Sequence, residues 1–191
     1  MRRSTFRLSL AATAAGLALT AAVYRLDRTN TTAPDPTNPA LVVQTGAQRT
    51  RGVELGATGN VTSAWQVAGG FATQRARIVS RTAAALPGAT VPLVPSRTFS
   101  LWNRYQLVPA FGVGLGVVRQ GDMYAAVDNT VTLPSFTRAD AAVFVRLTRN
   151  LRGQLNVENL FDERYFITSN SNSNITPGSS RSVRLSLTAG L

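Results

Sequence analysis

The C-terminal stretch 151–191 constrains the fold of this chain most strongly, because its apolar residues recur at every second position. Three odd positions near its start are apolar while the even positions between them are polar or charged: Leu151, Leu155 and Val157. The run that closes the chain repeats the pattern, with apolar residues at Val183, Leu185, Leu187, Ala189 and Leu191. A period of two is typical of a β-strand with one apolar and one polar face. Such strands fit either a half-buried soluble sheet or the wall of a membrane barrel between lipid and a polar lumen.

The composition narrows the possible functions. The 191 residues include no cysteine and no histidine. A disulfide framework is therefore excluded, and the usual ligands of zinc, haem and iron–sulfur centres are missing, as are Ser-His and Cys-His nucleophile systems. We expect a protein that is not an enzyme, with no catalytic residues, no cofactor and no metal ligands.

The charge is strongly basic. All 20 basic residues are arginine, and with 9 acids the net charge is +11. Such a balance is compatible with nucleic acid or with an anionic surface as the partner. The arginines fall on the polar faces and at the ends of the predicted strands, which favours barrel rim and wet-face residues and no nucleic-acid partner.

The N-terminal segment allows two interpretations. A basic start and the small, apolar run Leu8–Val23 are typical of a secretory signal peptide, and the run is too short and alanine-rich for a spanning helix. Residues 17–27, however, alternate like a strand. We predict a leader or other segment outside the barrel at 1–16 and a first strand at 17–27, although signal cleavage near Ala22 would remove that strand.

The remaining chain reads as strands separated by turn-forming residues. Together with the first strand they make eight, and the other predicted ranges are 49–59, 65–79, 97–108, 111–117, 137–148, 151–157 and 182–191. Glycines share one face of the fifth strand, 111–117, which indicates that this face is closely covered. Trp102 is an exception to the pattern, because it falls on the polar face of the fourth strand.

The connections between these strands alternate between long and short. In an antiparallel meander this alternation collects every long loop at one end of the sheet and every short turn at the other. Outer-membrane barrels show this asymmetry, whereas a soluble sandwich usually has short turns at both ends. The sequence therefore predicts an all-β, antiparallel meander of about eight transmembrane-type strands, either a partial or a small closed outer-membrane β-barrel.

One segment resembles a known family. The run Asn156-Val157-Glu158-Asn159-Leu160-Phe161-Asp162-Glu163-Arg164-Tyr165, followed by Pro177-Gly178 and a closing Arg184-Leu185-Ser186-Leu187 strand, is similar to the C-terminal end of TonB-dependent outer-membrane receptors, in particular siderophore receptors. The resemblance runs from about residue 17 to the end. It implies the last third or so of a plugged barrel of about 22 strands.

The resemblance carries functional expectations. It implies ferric-siderophore uptake across the outer membrane, with iron arriving already chelated. The plug domain and the segment that contacts TonB have no counterpart in this sequence, so we expect a barrel fragment that does not transport by itself. The alternative is a self-contained eight-stranded barrel with a structural or adhesion role. A soluble basic sheet that binds nucleic acid is a further alternative.

The C-terminus carries an expected assembly signal. Family members usually end in Phe, which belongs to the signal read by the barrel-assembly machinery, whereas this chain ends in Leu191. The rest of the apolar pattern is kept at Val183, Leu185 and Leu187. We expect assembly to remain possible and Leu191→Phe to increase it.

A group of arginines falls on the lipid-facing parity at the long-loop ends of the first strands. They are candidate contacts for outer-membrane lipid and lipopolysaccharide phosphates: Arg49, Arg51, Arg75 and Arg77. If the turn at 60–63 is centred on Thr62, Arg49 lies opposite Arg75. Ordinary rim arginines, solvated or paired with Asp27, are an equally good interpretation.

Loop residues supply the candidate ligand contacts. The family contacts its ferric siderophore through outer loops and plug, often with aromatic and arginine side chains, and the matching loop residues here are Tyr124, Arg164, Tyr165 and Phe166. The alternative role of the aromatic residues is to anchor the membrane interface. Inward polar residues are expected to form cross-strand ion pairs rather than a substrate path: Glu54, Arg104, Arg138, Asp140, Arg146, Arg152, Glu158 and Arg184.

Overall fold

The computed structural model describes residues 3–14 and 16–190 and folds them around a nine-stranded antiparallel sheet. Each strand pairs with its neighbours along the chain, apart from two small hairpins that lie outside the sheet. The sheet strands are β1 (Arg3–Ala14), β2 (Leu17–Pro34), β3 (Val42–Asn60), β4 (Trp65–Ile78), β5 (Arg97–Val108), β6 (Phe111–Gln120), β9 (Phe136–Arg146), β10 (Leu151–Glu158) and β13 (Ser182–Ala189). The hairpins are β7 (Met123–Tyr124) with β8 (Thr132–Leu133), and β11 (Phe166–Ser169) with β12 (Ile175–Pro177).

The predicted all-β antiparallel meander is confirmed, with nine strands in place of eight. Among the described residues, β1 and β13 are the two edges of the sheet and do not pair with each other. The alternative of a small closed barrel is therefore not what the structure shows. No helix within residues 3–14 and 16–190 is long and apolar enough to cross a membrane.

The additional strand lies at the N-terminus and corrects the prediction for that end. Residues 3–14 were expected in a leader outside the barrel, but they form β1, which pairs with β2 from Arg3 opposite Arg28 to Ala14 opposite Leu17. The first strand is therefore not 17–27. The physical reason is that Phe6, Leu8 and Leu10 alternate with polar residues, a strand pattern that the basic, alanine-rich composition obscures.

Residues 28–48, which lie between the first two predicted strands and were expected to be a loop, are also mostly strand. β2 continues to Pro34 and β3 begins at Val42, so the pair extends as a ribbon beyond the rest of the sheet. Register irregularities occur between Arg28 and Thr32, which explains why a strict period of two fails there. The hydroxyls of Thr31 and Thr45 hydrogen-bond at 2.8 Å inside this ribbon.

The two faces of the sheet differ as the alternation predicts. Odd-numbered apolar residues of β2–β6 share the outward face with the even-numbered apolar residues of β1. Trp102 on the inward face covers the glycines of β6, because a Cβ on Gly114 or Gly116 would lie 2.5 Å from its ring. This contact confirms the closely covered glycine face and explains the exception at Trp102.

Four long loops lie at one end of the sheet and short turns at the other, as predicted. We call them loop A (35–41), loop B (79–96), loop C (121–135) and loop D (159–181), and together they form the loop layer. Its two apolar clusters contain the three apolar residues among the largest fully buried side chains of the described residues, Ile78, Val127 and Leu133. One is Ile78, Ala85 and Val127, and the other is Met123, Ala125 and Leu133.

Candidate functional site: the loop layer and the cleft beneath it

The loops of the layer are joined by side-chain and backbone hydrogen bonds. The Asn129 side chain in loop C accepts from Thr90 N at 2.7 Å and donates to Thr90 O at 2.9 Å in loop B. Ser169 Oγ in loop D donates to Ala125 O at 2.7 Å in loop C. Asn172 N in loop D donates to Pro36 O at 3.2 Å in loop A. Every long loop is therefore connected to another, and the layer is one packed unit rather than four separate loops.

A polar cleft of about 310 Å³ lies beneath loop B on the inward face of β2, β3 and β4. The Tyr24 hydroxyl donates to Gln74 Oε1 at 3.0 Å, and Gln74 Nε2 donates to Pro95 O at 3.2 Å, so strand and loop are fixed together. Arg28 also lines the cleft, and its Nε is buried without a hydrogen-bond partner among the described residues. A guanidinium group in the lining of this cleft gives it a positive charge.

Loop D begins with a turn built around Asn159, whose side chain is only 1% exposed. Its Oδ1 accepts from Glu163 N at 2.9 Å, and its Nδ2 donates to Glu163 O at 2.9 Å and Ser179 O at 3.0 Å. The backbone φ of Asn159 is 54°, in the left-handed region that Asn tolerates better than most residues. Asp162 Oδ1 accepts from Arg181 N at 2.8 Å. Both ends of loop D are therefore held together at the top of β10 and β13.

An ion-pair network supports this turn from the inward face. Arg138 donates to Glu158 Oε1 at 2.6 Å, Asp140 Oδ2 at 3.0 Å and the Tyr165 hydroxyl at 3.0 Å. Asp140 Oδ1 in turn accepts from Asn159 N at 2.8 Å. These contacts confirm cross-strand pairing for part of the inward polar set.

Arg104, another member of that set, instead lies over the Phe144 ring at 4.3 Å. Among the residues that the structure describes, Arg146, Arg152 and Arg184 form no ion pair.

Tyr165, one of the four candidate ligand contacts, is placed in the interior. It is 6% exposed, its ring lies 4.3 Å from that of Phe136, and Gly178 packs directly against it. With its hydroxyl bonded to Arg138, the side chain positions the Asn159 turn and is not free to contact a ligand. The glycine of the Pro177-Gly178 motif is needed because any Cβ would collide with the Tyr165 ring.

The other three candidates lie in the loop layer. Arg164 and Phe166 are exposed in loop D, and Tyr124 is half-buried in loop C. Contact between Ser169 and Ala125 brings the hairpins that carry Phe166 and Tyr124 next to each other. The ligand role of Tyr124, Arg164 and Phe166 stays a prediction.

The outward arginines share one patch, but not with the predicted register. Asn60 pairs with Gln66, so the turn is centred on Ser63 rather than Thr62. Thr62 Oγ1 accepts from Trp65 N at 3.1 Å and lengthens the turn. As a result Arg49 lies opposite Arg77, not opposite Arg75, and Arg51 lies opposite Arg75.

The candidate assembly signal lies on the edge strand β13. Val183, Leu185 and Leu187 are exposed on its outward face, opposite Val157, Leu155 and Gly153 of β10. Leu191 lies outside the described residues. The assembly role of these four residues stays a prediction.

Sequence reasoning missed Tyr24, Arg28 and Gln74 as site residues, although part of the signal was present. The alternation of 17–27 places Tyr24 on the polar face of its strand, and the same parity continues to Arg28. That loop B would cover these residues was not visible in the sequence. No group of three or more potential metal-ligating side chains occurs among residues 3–14 and 16–190.

Comparison with known proteins identifies the family to which this chain belongs. The family model described as TonB dependent receptor-like, beta-barrel matches residues 5–160. The chain belongs to the TonB-dependent receptor family. The match begins inside β1, in agreement with the structure and against the expectation that 1–16 lies outside the family.

Several of the similar proteins are named siderophore receptors. The catecholate siderophore receptor Fiu of Escherichia coli strain K12 is 38% identical over 159 residues, which are 81% of this chain and 21% of that protein. The crystal structure of the siderophore receptor PiuA from Acinetobacter baumannii superposes with a TM-score of 0.83 at 29% identity, covering 98% of this chain and 28% of PiuA. The closed form of Fiu superposes with a TM-score of 0.80 at 31% identity and covers 98% of this chain and 27% of Fiu.

These matches determine where the sheet resides. The chain spans about a fifth of the length of the curated receptor it matches, and it corresponds to a segment of an outer-membrane barrel wall. The apolar outward face is therefore the lipid-facing surface, with Trp65 and Tyr105 paired across β4 and β5 near the short turns as interfacial aromatic residues. The loop layer lies at the opposite, external end.

Proposed function

We propose that this chain is part of a receptor that takes up a ferric siderophore across the outer membrane, and that it is not an enzyme. The loop layer forms part of the outer binding surface, and the cleft beneath loop B lies on the inward path. Exposed Arg164 and Phe166, with Tyr124 in the neighbouring hairpin, are proposed ligand contacts, and Tyr165 is a positioning residue.

The single observation that carries this proposal is the cleft beneath loop B. Its Arg28 Nε is buried and unpaired among the described residues, while the surrounding Tyr24 and Gln74 are already fixed to each other. The Arg28 guanidinium lines this polar cleft and forms no ion pair among the described residues, so its positive charge fits an anionic ligand. At about 310 Å³ the cleft would accept one arm of a chelate rather than the whole complex.

The ligand class proposed first is a ferric catecholate. The relative at 38% identity is named a catecholate siderophore receptor. Ferric tris-catecholate complexes are anionic, which suits a chain with a net charge of +11 and an unpaired arginine in its inner cleft.

The test is uptake of radioactive iron bound to a 2,3-dihydroxybenzoate siderophore, in cells that express the complete receptor containing this chain and lack other catecholate receptors. Arg28→Gln is expected to reduce uptake at limiting ligand about tenfold, because it removes a charge-assisted donor. Arg81→Gln, an exposed arginine of loop B, is the matched control and should leave uptake unchanged.

The outcomes separate the function from the site. Absence of uptake of any ferric siderophore by the complete wild-type receptor, present in the outer membrane, would contradict the proposed function. Normal uptake by Arg28→Gln would contradict the cleft assignment alone.

We also propose that Val183, Leu185, Leu187 and Leu191 present the signal to the barrel-assembly machinery. Leu191→Phe should then raise the amount of protein in the outer-membrane fraction. Equal amounts for both proteins would contradict this role.

A further inference from the structure

We propose that the outward face at the long-loop ends of β2–β6 is a binding site for lipopolysaccharide. Its phosphates would bind Arg51, Arg75, Arg97 and Arg119, and an acyl chain would lie in an apolar groove directly below. The inference is independent of the proposed siderophore uptake, because it concerns the opposite face of the sheet.

The pairing register arranges the arginines in rows across neighbouring strands. One row holds Arg25, Arg51 and Arg75 on β2, β3 and β4. The next row towards the long loops holds Asp27, Arg49 and Arg77. These residues share the parity of Val23, Val53 and Phe71, so the rows lie on the lipid-facing side just above the apolar band.

The arginines of these rows differ in how their charges are compensated. Arg49 Nε lies 2.5 Å from Asp27 Oδ1, and Arg25 Nε lies 2.7 Å from Asp27 Oδ2. Arg77 donates to Gly88 O at 2.9 Å and Thr90 Oγ1 at 2.6 Å, which ties it to loop B. Of the four arginines that the sequence nominated, Arg49 and Arg77 are therefore already engaged.

Arg51 and Arg75 have no such partners. Within residues 3–14 and 16–190 neither forms an ion pair, although they lie directly opposite each other. Like charges that face each other across strands are destabilising unless something compensates them. An external anion between the two guanidinium groups would supply that compensation.

The charged surface continues towards β5 and β6. A depression of about 760 Å³ is lined by Arg75, Arg77, Arg97 and Arg119, and Asp122 is the one acidic residue in its lining. Arg97 forms no ion pair among the described residues, and Arg119 donates to Thr137 Oγ1 at 2.7 Å with its other donors available. The depression is large enough for a phosphorylated sugar and carries an excess of positive charge.

An apolar groove of about 710 Å³ lies immediately below this depression. Small residues such as Ala57 and Gly69 form its floor, and larger apolar side chains form its walls: Leu10, Leu19, Leu55, Phe71, Phe99 and Leu101. Phe71 and Phe99 line both the groove and the depression, so the two are continuous.

The charged depression and the apolar groove together indicate which ligand binds. A lipid that carries phosphates at the level of the arginines and acyl chains at the level of the groove matches both parts at once. Guanidinium groups bind phosphate with a bidentate fork, and the site lies at the external end of the barrel, where lipopolysaccharide is the phosphorylated lipid. Free phosphate would match only the upper part.

The experiment measures binding of diphosphoryl lipid A to the full protein, purified from outer membranes in detergent and analysed by native mass spectrometry. Arg51→Gln with Arg75→Gln is expected to weaken binding about tenfold or more. Arg149→Gln with Arg181→Gln removes the same charge from a short turn and from loop D, and this control should bind as the wild type does. Ala57→Phe fills the groove without changing charge and should weaken binding several-fold.

Further measurements identify which parts of lipid A the site recognises. Dephosphorylated lipid A should bind as weakly as lipid A does to the Arg51 and Arg75 double variant. Equal loss in the Arg149 and Arg181 control would show non-specific charge attraction and overturn the site. Displacement of lipid A by millimolar inorganic phosphate, or unchanged binding by Ala57→Phe, would overturn the acyl part. The Arg51 and Arg75 double variant should unfold at a temperature no lower than that of the wild type, because the substitutions remove a like-charge pair.

Discussion

Leu115 in the wall and Leu133 in the loop layer are both leucines, but Leu115 is exposed on the outward face and Leu133 is buried among loop residues. Leu115 on β6 is 59% exposed and points towards lipid, whereas Leu133 on β8 is 1% exposed inside a cluster with Met123 and Ala125. The strand wall is stabilised by backbone hydrogen bonds between its strands, and its apolar residues are covered by the membrane. The loop layer lies in water and therefore contains its own core and side-chain hydrogen bonds.

The first prediction compares these two leucines. Leu133→Ala should destabilise the loop layer by about 3 kcal/mol, because it combines loss of burial with a cavity. Hydrogen exchange should then accelerate in residues 121–135 and 159–181 and stay slow in the wall. Leu115→Ala is the control: lipid fills the vacated space, so loop exchange should not change. Equal effects on loop exchange would contradict a separate loop core.

The second prediction concerns the turn at the base of loop D. Asn159→Ala should cost about 2 kcal/mol locally, because it removes the hydrogen bonds that the Asn159 side chain makes to the backbone of Glu163 and Ser179. Proteolysis of loop D on intact cells should become faster. Asn170→Ala, an exposed residue of the same loop, should have little effect. Unchanged proteolysis in Asn159→Ala would show that loop D is held elsewhere.

The third prediction tests packing inside the wall. Gly116→Ala places a Cβ 2.5 Å from Trp102 and should lower the free energy of unfolding by about 1–3 kcal/mol. Gly153→Ala is a matched control, since its Cβ would meet Leu187 at an ordinary 3.5 Å. Urea unfolding in detergent micelles measures both variants. Equal stabilities would mean that the Trp102 contact does not hold β5 against β6.

The fourth and smallest effect is a pH dependence in loop A. Hydrogen bonds from the Thr37 hydroxyl, and from the amides of Thr37 and Asn38, lower the pKa of Asp35 from its usual value. A lowered pKa in the folded turn means that its stabilisation is present above about pH 3.9 and lost as the pH falls below it. Amide protection at Thr37 and Asn38 should therefore decrease in acid, and Asp35→Asn should remove this dependence. Protection that is independent of pH in the wild type would contradict it.

The wall was more predictable from sequence than the loop layer. A period of two is a local property, so the bounds of Arg97–Val108 follow from the sequence alone. The hairpin register at Thr62 was missed because one additional turn residue, fixed by a side-chain hydrogen bond, moves every pair. β1 was missed because a signal-like composition and a strand pattern coexist in the same residues.

The loop layer depends on contacts between residues far apart in the chain. Ser169 with Ala125, and Asn129 with Thr90, have no local signal in the sequence. Tyr165 illustrates the consequence: an aromatic loop residue suggests ligand contact, but its hydroxyl is engaged by Arg138, which lies 27 positions away. The family motif around Asn159 was recognisable, whereas its structural purpose became visible only in the folded chain.

The loop layer faces the cell exterior at one end of a wall that spans the outer membrane, and this orientation can be measured directly. Because the chain contains no cysteine, a single cysteine at Ser173 in loop D or at Ser63 in a short turn gives a unique label. With a membrane-impermeant maleimide, Ser173→Cys should react in intact cells, and Ser63→Cys only after the outer membrane is opened. Labelling of Ser63→Cys in intact cells, or protection of Ser173→Cys until lysis, would contradict the account.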